Sequence, residues 1–160
     1  FIDVGAAATR VVVKQNDRAV FMREFPVGGN SFTEAIATAL GQSFENAEAL
    51  KIQEESGIPQ EAVEALRGLL QTWKSEIQQC EDVYVTQFSQ GPVSRWYIFG
   101  GGARTPGLFD VLKDERFGDR VSPLPAPELL QSGSKNISPD YLSAWSYRLI
   151  SAAAAGCRKA

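Results

Sequence analysis

Three stretches of this 160-residue chain carry groups able to do chemistry. In Ile2-Asp3-Val4-Gly5-Ala6-Ala7-Ala8-Thr9 an acid ends an apolar run, a glycine permits a sharp turn and a hydroxyl opens the next run. A carboxylate so placed can hold a magnesium-bound water, while turn amides and the Thr9 hydroxyl can meet phosphate oxygens. The same residues also make an ordinary hairpin. In Trp96–Leu108 (WYIFGGGARTPGL) an aromatic-rich strand runs into Gly100-Gly101-Gly102, and Thr105 and Pro106 read as N-cap and first residue of a helix. Strand, glycine turn and helix start together suit a nucleotide or another anion, or else simply make a tight connection. In Ala47–Lys51, Glu48 and Lys51 stand three apart, a spacing that on a solvated helix face contributes roughly a few tenths of a kcal/mol.

Composition narrows the chemistry. There is no histidine, which excludes Ser/His and Cys/His triads and removes the commonest metal ligand. Cys80 and Cys157 are too far apart for a metal motif and read as reduced thiols of a cytosolic protein. A net charge of −3 gives no bulk attraction to nucleic acid or to an anionic membrane. An apolar content of 44% and a charged content of 22% match a soluble globular domain, and no run is apolar enough to span a bilayer. The chain opens at Phe1 with no methionine and no signal-peptide pattern, so the expectation is an excised piece whose companion lobe is missing.

The elements that must position these groups follow from apolar periodicity. Phe1–Gly5, Thr9–Lys14 and Val20–Phe25 read as three strands joined by tight turns, an antiparallel meander. Asn30 or Ser31 caps a helix that ends at Gly41, with Phe32, Ile36, Ala39 and Leu40 on one face. Ser43 caps a second helix, with Phe44, Ala47 and Leu50 facing one way, that fades by Ser56-Gly57. From Glu61 to about Phe88, Val63, Leu66, Leu70, Trp73, Ile77, Cys80 and Tyr84 form one continuous stripe, a long helix lying on a sheet with Cys80 as a small core residue. A strand at 96–99, a helix from Pro106 to Lys113, a return to the sheet at Gly118–Val121, a loop from Pro123 to Asn136 and a last helix from Pro139 to Ala155 complete the order.

Five segments in sequence resemble the second half of the actin-like ATPase superfamily, and within it the PilM family of type IV pilus assembly proteins, relatives of the cell-division protein FtsA. They are Asp3–Thr9, Gly28–Thr33 (GGNSFT), Ala47–Lys51 (AEALK), Glu76–Cys80 (EIQQC) and Gly100–Leu108 (GGGARTPGL). The resemblance implies an α/β, ribonuclease H-like (actin-like ATPase) fold, with a mixed sheet opened by the antiparallel three-strand meander and flanked by helices. Residues 1–160 would be the second, C-terminal lobe, 42–60 a reduced inserted subdomain, and the first lobe would be absent.

By the same resemblance, Asp3, Gly5 and Thr9 fall on the second phosphate loop, Asp3 orienting water or Mg2+ through a water. Gly28 and Gly29 would lie near the phosphates, Glu48 and Lys51 at the ribose, and Gly101, Gly102 and Ala103 on the adenosine loop. The implied ligands are ATP and Mg2+, both needing the absent lobe. The implied whole protein is a cytoplasmic scaffold peripheral to the inner membrane, for type IV pilus or related type II secretion assembly, at most a slow ATPase. Its partner would be the cytoplasmic tail of an inner-membrane assembly protein, held mostly by the missing lobe, with self-association open and no nucleic acid. Four departures weigh against efficient hydrolysis: Ala6, Ala7 and Ala8 replace loop glycines, Arg10 replaces a second acid, Cys80 replaces a serine and the segment between Gly41 and Glu61 is short. The alternatives are a nucleotide-independent interaction module of a secretion or cell-division complex and, ranked last, a sugar- or acetate-type kinase lobe.

Overall fold

The computed structural model describes residues 1–16, 18–53, 57–124 and Ser138. Strands β1 (Ile2–Val4), β2 (Thr9–Gln15) and β3 (Arg18–Phe25) form the expected antiparallel meander. Two residues join β2 to β3, and Asn16 takes a positive φ of 49° that asparagine tolerates better than most residues. Helices α1 (Gly29–Leu40), α2 (Phe44–Ile52) and α3 (Gln60–Phe88) follow, then β4 (Trp96–Phe99), a short helix α4 (Leu108–Leu112) and β5 (Val121–Pro123). The sheet order is β3-β2-β1-β4-β5, with β4 parallel to both β1 and β5. The loop expected at 123–136 is described only at Pro123 and Leu124, and the helix expected at 139–155 lies outside the described residues.

Strand alternation decides which face is covered. Ile2, Val4, Val11, Val13, Trp96 and Ile98 are buried on one side, where α1 and α3 supply Phe32, Ile36, Leu66, Trp73 and Ile77 to the same core. The α3 stripe is the one expected from the sequence, with Cys80 fully buried and its thiol pushed up to about 11 by desolvation. A thiol so placed is inert packing.

Three local expectations change. The cap of α1 is neither Asn30 nor Ser31 but Gly28, with Gly29 as first helical residue; the Ser31 hydroxyl instead accepts from the Gly28 amide at 3.4 Å. In α2 the Ser43 cap holds, accepting from the Asn46 amide at 3.3 Å, but the helix buries Ala47 and Lys51 and leaves Phe44 exposed. After β4 a 3₁₀ turn, Gly101–Arg104, precedes α4, so Thr105 is not an N-cap and Pro106 does not open the helix. Three-residue closure uses the Gly100 and Gly102 carbonyls first, accepting from Ala103 and Thr105. Beyond these, a charge cluster on which the sequence motifs are silent stands on α3. Glu81 on α3 is 3% exposed and accepts from Arg116 Nε (3.1 Å), Arg120 Nη1 (3.0 Å) and the Val93 amide (3.1 Å).

That cluster ties α3 to the segments on either side of β4, and its members differ in burial. Removing one partner of a fully buried pair costs about 3–5 kcal/mol. The two arginines keep partial solvent contact, so Glu81→Gln should cost about 2–3 kcal/mol in denaturant unfolding. Asp82, 2.5 Å from Arg116 but mostly exposed, should change stability by less than about 0.5 kcal/mol when replaced by alanine.

Candidate functional site

The parallel strands β1 and β4 end side by side, and ligands of open α/β sheets bind just beyond such carboxyl ends. Three backbone segments meet there. The amides of Gly29 and Asn30, the first two of α1, donate to the carbonyls of Gly5 and Ala6 at 2.8 Å each. Gly5 N–H in turn closes its own turn onto the Ala8 carbonyl at 3.0 Å. A Cβ on Gly28 would lie 2.6 Å from the Ala6 carbonyl oxygen and 2.7 Å from the Ala8 nitrogen, so no side chain fits. From the other side, Gly100 (φ 94°) swings the chain over Val4 and Asp3, and the Gly102 Cα comes within 3.4 Å of where a Gly29 Cβ would stand.

The junction floors a pocket of about 180 Å³. Ala6, Gly29 and Asn30 line one side, Gly101 and Gly102 another, and Glu48 and Lys51 of α2 the third. Five of the residues singled out in the sequence are thus brought together: Gly29, Glu48, Lys51, Gly101 and Gly102. Asp3, half-buried, lies across the sheet from the core with its Oδ1 under Gly100. Gly5 and Gly28 shape the junction from behind, and Ala103 is buried, its amide bonded to Gly100 O at 3.1 Å.

Thr9 is placed otherwise than its phosphate-loop reading requires. Its hydroxyl is fully buried, donates to Val27 O at 2.6 Å and accepts from Trp73 Nε1 at 2.9 Å, so it ties β2 to α3 and has no access to a ligand. The Glu48–Lys51 pair is also not a solvated one. Lys51 is 3% exposed, and its ammonium donates to Gly29 O (2.8 Å), Thr33 Oγ1 (2.6 Å) and Glu48 Oε2 (2.7 Å). Thr33 also bonds Glu48 Oε2. Sequence reasoning placed Thr33 in a motif without a role; the signal it missed is a threonine one helical turn after Gly29, able to reach the Gly29 carbonyl. It missed Arg104 as well. That residue lines an adjoining 260 Å³ cavity with Gln53, Ile58 and Pro106, which shares Lys51 with the first pocket.

This donor set has definite chemical limits. A helix N-terminus usually offers free amides to an anion, but the first two of α1 are committed to Gly5 and Ala6. What remains around the pocket is close-approach backbone at Ala6, Gly101 and Gly102, the polar residue Asn30 and the Glu48 carboxylate, which suits a sugar hydroxyl and one side of a phosphate chain. Among the described residues no group of three or more His, Cys, Asp or Glu could hold a metal. The junction itself is tested by paired glycine variants. Gly28→Ala should cost about 2 kcal/mol or more through overpacking, while Gly68→Ala, in α3 with open space around it, should gain about 0.5–1 kcal/mol in the same denaturant titrations.

The comparisons agree with this architecture. The model of the family "Type IV pilus assembly protein PilM" matches residues 1–120. Among solved structures the chain is similar to a chain of the PilM–PilN type IV pilus biogenesis complex. Identity is 23% and the TM-score 0.77, over 92% of this chain and 41% of that one. It is also similar to the ethanolamine utilization protein EutJ from Carboxydothermus hydrogenoformans, at 20% identity and a TM-score of 0.58, over 77% of this chain and 43% of that one. The chain thus spans about two fifths of the length of these relatives, and the likeness shows the fold, a mixed α/β sheet of actin-like ATPase type. No curated protein sequence matches the chain significantly. No helix among the described residues is long and apolar enough to cross a membrane. With three quarters of its length matched by the family model, the chain belongs to the PilM family of type IV pilus assembly proteins.

Proposed function

We propose that this chain is the nucleotide-binding second lobe of a PilM-type scaffold, which with its companion lobe closes on Mg-ATP. One observation carries the reading: the β1–β2 turn, the start of α1 and the glycine loop after β4 are in backbone contact around a pocket walled by Glu48. Glu48 would take the ribose hydroxyls, Gly101 and Gly102 would lie along the nucleotide, and Asp3 would orient a magnesium-bound water. ATP when bound supplies the phosphates that bridge the two lobes; this chain's residues bind and orient it from one side. The role is that of a cytoplasmic scaffold at the inner membrane, engaging the tail of a membrane assembly protein mainly through the other lobe. The similar structure is itself a complex with PilN, which supports a partner of that kind. Turnover, if any, is slow.

A second reading keeps the scaffold and drops the nucleotide. Committed α1 amides, the inward Thr9 hydroxyl and the methyls of Ala6–Ala8 all favour it. Calorimetry of the full-length protein with Mg-ATP separates the two. The nucleotide reading expects a Kd near micromolar, about −8 kcal/mol, lost in Gly101→Val and retained in Asp3→Ala. Absence of binding heat in the wild type would sink it in favour of the second reading.

A further inference from the structure

Helix α2 packs chiefly against α1, and beyond Ala47 the residue it buries is a cation, Lys51. An ammonium has three N–H donors, and here each has an acceptor: Gly29 O, Thr33 Oγ1 and Glu48 Oε2. None remains for a ligand. Thr33 has one proton and two acceptors in reach, Gly29 O and Glu48 Oε2. Since Lys51 already donates to Gly29 O, the proton goes to the carboxylate, the stronger acceptor. Glu48 Oε2 is therefore held from two directions: Lys51 is itself tied to Gly29 O in the first turn of α1, where Gly29 lies against Gly102, and Thr33 stands one turn further along the same helix.

We propose that Lys51 and Thr33 are positioning residues: they hold Glu48, and with it the α2 wall of the pocket, against the glycine junction. The nucleotide meets Glu48 and backbone, and the Lys51 ammonium does not touch it. The proposal rests on the nucleotide reading above and reassigns Lys51, which the family resemblance puts at the ribose.

The test uses the full-length protein as wild type, Lys51→Met, Thr33→Val and Thr33→Ser. Mg-ATP affinity is measured by calorimetry over a range of ionic strength, and amide exchange across α2 is measured by mass spectrometry without nucleotide. Lys51→Met and Thr33→Val should each weaken binding by about tenfold or more, the scale of a lost hydrogen bond to a charged group, and Thr33→Ser should stay within about twofold. Binding by Thr33→Val, which keeps every charge, should show the same salt dependence as wild type. Exchange across α2 should quicken in Lys51→Met and Thr33→Val and stay slow in Thr33→Ser. Unchanged affinity in Lys51→Met or Thr33→Val, or unchanged α2 exchange, would each overturn the positioning role. A wild type that binds no Mg-ATP overturns the nucleotide reading, and the α2 exchange, which needs no ligand, tells the two failures apart.

Discussion

Two backbone hydrogen bonds, from the amides of Gly29 and Asn30 to the carbonyls of Gly5 and Ala6, set the geometry on which the rest of the site depends. A helix start buried against a strand end would leave donors without partners, at about 1–3 kcal/mol for each unsatisfied group. Here the turn after β1 supplies the acceptors, so α1 needs no side-chain cap. The contact is too close for a Cβ at Gly28, and that closeness brings Gly29 up to Gly102. The neighbouring bonds from Thr9 to Val27 and from Trp73 to Thr9 extend the tie to α3, so one hydrogen-bonded chain runs from the turn to the middle of the long helix.

The same economy restricts function. Amides that close the fold cannot also cradle a phosphate, and an ammonium saturated by Gly29, Thr33 and Glu48 cannot also bind a ligand. Among the described residues the pocket therefore presents backbone shape, Asn30 and the Glu48 carboxylate more than it presents positive charge. Such a surface suits a sugar hydroxyl better than it suits a phosphate chain.

Elements governed by local spacing were legible in the sequence: the meander, the stop of α1 at Gly41 (φ 60°), the Ser43 cap and the α3 stripe from Leu66 to Tyr84. Five of the singled-out site residues do gather in one pocket, because motif order followed the chain around the ends of β1 and β4. What could not be read depends on partners distant in sequence. Burial of Lys51 requires the Gly29 carbonyl 22 residues earlier, and the inward turn of Thr9 requires Trp73, 64 residues later. The burial of Glu81 likewise depends on Arg120, 39 residues on. Thr105 followed a sound capping rule and was displaced by the 3₁₀ turn; among the described residues its buried hydroxyl has no hydrogen-bond partner.

Amide exchange of individual residues, followed by NMR on the protein without nucleotide, tests the central claim that the glycine junction is preformed by the fold. If it is, the Gly29 and Asn30 amides are protected as strongly as those of Val11 and Val12 in the sheet. Exchange of Gly29 and Asn30 at the rate of the exposed Gly91 amide would contradict it, showing a helix start not tied to the turn after β1.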